Sequence, residues 1–97
     1  MPNRMPPVHP GEILKGELHE IELSANALAS ALAVPASRIT MILRGNRDIT
    51  ADAALRLARF FGTSAQFRLN LQQSYDLKIA ERRSGKKITG AVKPRAA

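Results

Sequence analysis

Between Leu23 and Thr50 the chain reads LSANALASALAVPASRITMILRGNRDIT, two short helical patterns with a proline at their junction. Ser24 suits the N-terminus of the first, where Ala27, Leu28, Ala31 and Leu32 repeat at the offsets of one buried helical face. Pro35 has no N–H to give a continuing helix but fits the first turn of a new one. The first helix is therefore expected to stop near Ala33 and the next to start near Pro35. That second helix turns Ile39, Ile42 and Leu43 inward and stops at Gly45, a residue that reaches the left-handed conformation without strain.

The flanking sequence supplies three more helices. His9-Pro10-Gly11-Glu12 reads as a helix start, with Pro in the first turn and Glu12 near the positive end of the dipole, followed by Ile13, Leu14, Leu18 and Ile21 to about Glu20. Thr50 caps a fourth helix in which Ala54, Leu57, Ala58 and Phe61 share a face, closed by Gly62. Ser64 begins a fifth. Phe67, Leu71, Tyr75 and Ile79 fall on one side of it, Leu69 and Leu77 on another, more apolar surface than one small core covers. After Ala80 the composition turns to Arg, Lys, Ser, Gly and Pro, that of a mobile tail, with Lys87-Ile88-Thr89 as a candidate short strand if it is ordered. The expected fold is all-α: a five-helix domain over residues 1–80, its helix-turn-helix at about 24–44, and a basic C-terminal tail over 81–97.

Length and charge narrow the function. The 97 residues make one small domain without room for a sizeable cleft, and the absence of cysteine removes disulfides and thiolate metal sites. The first residues, kept extended by Pro6-Pro7, hold no apolar run of signal-peptide type, and no later window has the ~18 apolar residues of a membrane span, so a soluble, cytoplasmic protein with no membrane association is expected. The formal charge is +7, unevenly spread: residues 1–80 carry nine Lys/Arg against seven Asp/Glu, residues 81–97 six against one. Such an excess fits polyanions, either nucleic acid or an anionic membrane surface, and charge alone does not choose.

The close helix pair favours nucleic acid. A helix, a short turn and a steeply crossing helix form the unit that lays its second helix in the DNA major groove. With Ile39 and Ile42 inward, Ala36, Ser37, Arg38, Thr40, Met41 and Arg44 are left on faces that need no burial, a set suited to base edges and thymine methyl groups. Ser24, at a helix N-terminus, and Asn46-Arg47 beyond the second helix suit phosphates. The plain alternative is a helical hairpin in a small bundle with solvated arginines. Leu69 and Leu77 have two readings as well, a groove within the chain or, the favoured one, a two-fold dimer contact.

Enzymatic readings fail on spacing. His9 and His19 lie too far apart for one metal site and no carboxylate pair joins them, so no metal and no cofactor are expected. Ser84-Gly85-Lys86 lacks the first glycine of a phosphate loop, because Ala80 stands there, and no Gly-x-Ser-x-Gly segment occurs.

The segments HPGEIL, LSANALASALAVPASRI, ILRGNRDIT, ALRLARFFGTS and LNLQQSYDL, in this order over residues 9–77, resemble the HigA-type antitoxins among the phage-repressor-like helix-turn-helix proteins. The resemblance implies a homodimer that binds an inverted repeat in its own promoter as an autorepressor. It also implies a cognate toxin, a RelE-like messenger RNA endonuclease, which the antitoxin neutralises. Carried over by position, it places base contacts on Ala36, Ser37, Arg38, Thr40 and Met41, and DNA backbone contacts near Ser24, Asn26, Arg44, Asn46 and Arg47. Two positions depart from the family pattern: Ala33 stands where the turn usually has glycine, and Arg68 follows Phe67 where tryptophan is usual, which would alter the surface of the fifth helix. The alternative is a stand-alone phage-repressor-like regulator without a toxin.

Overall fold

The computed structural model describes residues 6–96; the first residues of the extended N-terminal segment and Ala97 at the end of the tail lie outside them. The described residues form five helices and no strand: α1 (Pro10–Glu20), α2 (Ala25–Leu32), α3 (Ala36–Leu43), α4 (Ala51–Phe61) and α5 (Ala65–Ala91). The starts follow local chemistry. Ser24, Thr50 and Ser64 each accept, through the side-chain hydroxyl, the N–H three residues on, and the His9 Nδ1 accepts the Gly11 N–H at 2.9 Å. Gly45 and Gly62 take positive φ at the ends of α3 and α4, and so does Ala33 at the end of α2, with φ 58° and ψ 45°. Glu22, in the turn before α2, also has positive φ, which no residue there signalled.

The core joins α1 (Leu14, Leu18), α2 (Leu28, Ala29, Leu32), α3 (Ile39, Ile42), the following loop (Ile49) and α4 (Ala53, Ala54, Leu57). α1 crosses the end of α3 with the two backbones in close approach. A Cβ on Gly11 would land on the Ile42 carbonyl oxygen, so only glycine lets the two backbones meet there. His9 continues the same contact, its buried ring edge-on to Tyr75 of α5 and against Gly45.

The buried side of α5 is centred on polar residues. Gln72 accepts the Ile49 N–H at 2.8 Å and donates to Asp76 at 2.9 Å, which ties α5 to the loop between α3 and α4. Arg68 has no exposed surface and grips Glu17 of α1 with two bonds, at 2.6 and 2.8 Å, its guanidinium against the rings of Phe61 and Phe67. The departure at Arg68 therefore alters the interior, not the surface of the helix. The face assignment changes with it: Leu69 packs on the core and Phe67 is 40% exposed, while Leu77 stays uncovered at 61%.

The fifth helix also outruns its expected end at Ala80, reaching Ala91 with a length of 27 residues, and the Lys87-Ile88-Thr89 segment is helical rather than a strand. Propagation explains this: once α5 is nucleated by packing, each further residue adds a hydrogen bond at little cost, and Glu, Arg and Lys are good helix formers. The extension is mostly exposed, and no helix among the described residues is long and apolar enough to cross a membrane.

Two substitutions at glycines separate close approach from mere helix propensity. Gly11→Ala is expected to cost about 3 kcal/mol, the upper end of overpacking, whereas Gly16→Ala, with open space around its Cβ, is expected to stabilise by about 0.5–1 kcal/mol in urea unfolding. For the buried pair, Glu17→Gln is expected to cost about 2 kcal/mol, less than the ~3–5 of a fully enclosed pair because the Glu17 side chain keeps 30% of its exposure. Replacing both partners, Arg68→Met with Glu17→Gln, should recover most of that loss in the same measurement.

Candidate nucleic-acid interface

At 100° per residue, Ile39 and Ile42 set the inner side of α3, and the opposite side is an arc of roughly 100° containing Ser37, Thr40, Met41 and Arg44. Ser37, Met41 and Arg44 are exposed; Thr40 is half-buried, its hydroxyl donating to the Ala36 carbonyl at 3.0 Å, so its methyl and remaining lone pairs are what it can offer. Ala36 is exposed at the first turn. The stripe holds a hydroxyl, a flexible apolar group and a guanidinium, without a carboxylate. That is the mixture a base edge accepts.

Arg38 differs from these. It lies on the flank of α3 facing α4, and its guanidinium reaches the Asp52 carboxylate at 3.3 Å. Asp52 in turn accepts from Arg56 Nε at 2.9 Å, and Arg56 uses Nη1 to donate to the carbonyls of Leu32 at 2.8 Å and Ala33 at 3.4 Å. Those carbonyls are at the end of α2, where the helix has no partners of its own for them. Arg56 thus clips the turn between the two helices, the place where Ala33 takes the left-handed conformation usually left to glycine.

The flanks offer anion contacts. Ser24 accepts the Ala27 N–H at 3.1 Å and keeps its own proton to donate, at the positive end of α2 beside the exposed Asn26. Arg44, the C-terminal cap of α3, and Asn46 and Arg47 in the next loop are exposed. Of the two leucines assigned to a dimer contact, only Leu77 is left largely uncovered, since Leu69 is partly used by the core.

This geometry has close counterparts. Residues 20–67 match the helix-turn-helix family. Virulence-associated protein I of Dichelobacter nodosus is 60% identical over 80 residues, covering 81% of this chain and 74% of its own length. A HigA-family addiction module antidote protein from Coxiella burnetii superposes with a TM-score of 0.93 at 58% identity, over 94% of this chain and 100% of that one. The chain belongs to the HigA antitoxin family of helix-turn-helix proteins. A further family structure, the Pseudomonas aeruginosa antitoxin HigA with its higBA promoter, has a TM-score of 0.92 at 48% identity, over 94% of this chain and 100% of that one.

Sequence reasoning missed Asp52, Arg56, Glu17 and Gln72 as supports of this family fold. Asp52 and Arg56 carried a readable signal, opposite charges at i and i+4 on a helix. Glu17 and Gln72 carried none, because their partners lie 51 and 23 residues away in the chain.

The hydrogen bond from Arg56 holds the Asp52 carboxyl below its ordinary value of 3.8, against some desolvation and with help from the charges of Arg56 and Arg38. A carboxyl whose folded pKa is depressed stabilises the fold above its unfolded pKa and stops doing so as pH falls through the folded one. The melting-temperature gap between wild type and Asp52→Asn is therefore expected to be level above about pH 5 and to shrink steadily below about pH 4. A gap unchanged down to about pH 2 would mean that the charge of Asp52 is not what links the helices.

Proposed function

We propose that this chain is the antitoxin of a toxin–antitoxin pair and a sequence-specific autorepressor of its own operon. The observation that carries the reading is the outward stripe of α3, free of carboxylates and ending at Arg44, with Ser24, Asn26, Asn46 and Arg47 beside it, in a chain 48% identical to an antitoxin HigA solved with its promoter. Ala36, Ser37, Arg38, Thr40 and Met41 contact base edges, and Ser24, Asn26, Arg44, Asn46 and Arg47 hold the DNA backbone. A homodimer places two copies of α3 in successive major grooves of an inverted repeat, with half-sites ~34 Å apart. Leu77, with 61% of its surface exposed, supplies an apolar anchor for the two-fold contact, and Leu69 adds the edge the core leaves free.

The partner toxin is a RelE-like messenger RNA endonuclease held on a surface other than α3. If toxin binding changes operator affinity, operator binding changes toxin affinity by the same factor. The rival reading, a stand-alone regulator, uses the same α3. A small basic reading frame beside the gene, whose product co-purifies with this chain, favours the antitoxin.

The test is binding to a duplex taken from immediately upstream of the gene, against a scrambled duplex, over a salt series. Ser37→Ala and Met41→Ala are expected to cost about 1–3 kcal/mol on the native duplex only, relaxing selectivity. Arg44→Ala and Arg47→Ala should weaken both duplexes alike and lower the salt slope by about one each. Equal affinity of wild type for both duplexes would remove the repressor assignment.

A further inference from the structure

Arg38 is the one guanidinium on α3 that is already engaged, and the chain of contacts behind it is unusual in spanning every part of the helix-turn-helix. The Leu32 and Ala33 carbonyls at the turn hold Arg56, Arg56 holds Asp52 in the first turn of α4, and Asp52 holds Arg38. Arg38 gives this contact a single N–H, through Nη1 at 3.3 Å, so the rest of its five donors stay available. Its side chain is 31% exposed, enough to reach outward and little enough to restrict its rotamers. Asp52 is the wrong sign for a residue beside a DNA-facing helix if it acted through charge, since a carboxylate there repels phosphate.

We infer that Asp52, itself fixed by Arg56, is a positioning residue that orients the Arg38 guanidinium for base reading and so sets operator specificity without touching DNA. The inference rests on the proposal that α3 reads an operator. An arginine reads guanine through two parallel bonds in one plane, and a free side chain must give up much of its rotational freedom to meet that geometry. A carboxylate on the far side of the guanidinium removes part of that freedom before DNA arrives. The turn enters the same chain, because Arg56 measures the position of Ala33 against α4. A shift of α2 relative to α4 would therefore be felt at Arg38.

Charge and positioning predict opposite signs. Removing a carboxylate near the interface tightens binding to every duplex if only repulsion is lost; losing a positioned arginine weakens discrimination at one base pair. The experiment measures Kd of the full chain for the upstream duplex and for a panel with each base pair of one half-site replaced. The proteins are wild type, Arg38→Ala, Asp52→Asn, Asp52→Glu and the Arg38→Ala/Asp52→Asn double variant, with thermal melting as the check on folding. Arg38→Ala is expected to abolish discrimination at one or two adjacent base pairs, and Asp52→Asn to reduce discrimination about fivefold or more at those same pairs while leaving the others unchanged. The double variant should lose no more than Arg38→Ala alone. Asp52→Glu, which can reach both arginines, should recover part of the loss.

Asp52→Asn with full discrimination and uniformly tighter binding overturns the inference, as does an Arg38→Ala variant that weakens all duplexes equally. In both cases the wild type still prefers its own operator, so the repressor reading survives. Wild-type binding without any sequence preference fails the repressor reading itself, and this inference with it.

Discussion

Everything outward on α3 depends on the crossing of α1 over its C-terminal end, where the Gly11 backbone rests on the Ile42 carbonyl. An eight-residue helix does not hold its shape in water alone, so its direction is set by what it packs on. Ile39 and Ile42 fix its roll, and the Gly11 contact fixes the height of its last turn. The His9 cap, the Tyr75 ring and the Gln72 bond to Ile49 brace that same region from α1 and α5. A reading helix that does not reorganise on meeting its ligand keeps the ordering cost of binding low.

The second constraint is the charge in the interior. The slot between α1, α4 and α5 is lined by Phe61 and Phe67, and a planar guanidinium fills it at the position where the family resemblance implies tryptophan. Arginine suits such a slot because it is flat and weakly hydrated, and it tolerates burial there because both Glu17 oxygens accept from it. The pair joins α1 to α5 directionally, in a way an indole does not. Its contribution is more to the relative placement of those helices than to net stability, since desolvation offsets much of the attraction.

How much of this was legible in the residues follows from the range of the signals. Caps, prolines and glycines act within a few residues, so α1 to α4 and the start of α5 could be read from His9, Ser24, Pro35, Gly45, Thr50, Gly62 and Ser64. The resemblance marked Ala33 only as standing where the family turn has glycine; that it takes the left-handed conformation itself is a finding of the structure. The buried side of α5 was not, because apolar periodicity pointed to Phe67, Leu71, Tyr75 and Ile79, while the side that packs is centred on Arg68 and Gln72, residue types that ordinarily mark a surface. Its length was missed because composition after Ala80 resembles a tail, whereas continuation depends on a nucleus already formed. At the interface, the exposed stripe was readable from the positions of Ile39 and Ile42. The engagement of Arg38 by Asp52 was not, since it joins residues 14 apart on different helices.

In the proposed function α3, presented by this scaffold, is the surface that meets DNA. The most direct measurement is a backbone amide NMR titration of the isotope-labelled full chain with the duplex upstream of its gene. The largest shifts are expected on residues 36–44, on Ser24 to Ala27 and on Asn46 and Arg47, while the amides of α1 and of residues 82–91 move little. Shifts confined to the basic end of α5 and the residues after it, with α3 unmoved, would contradict it.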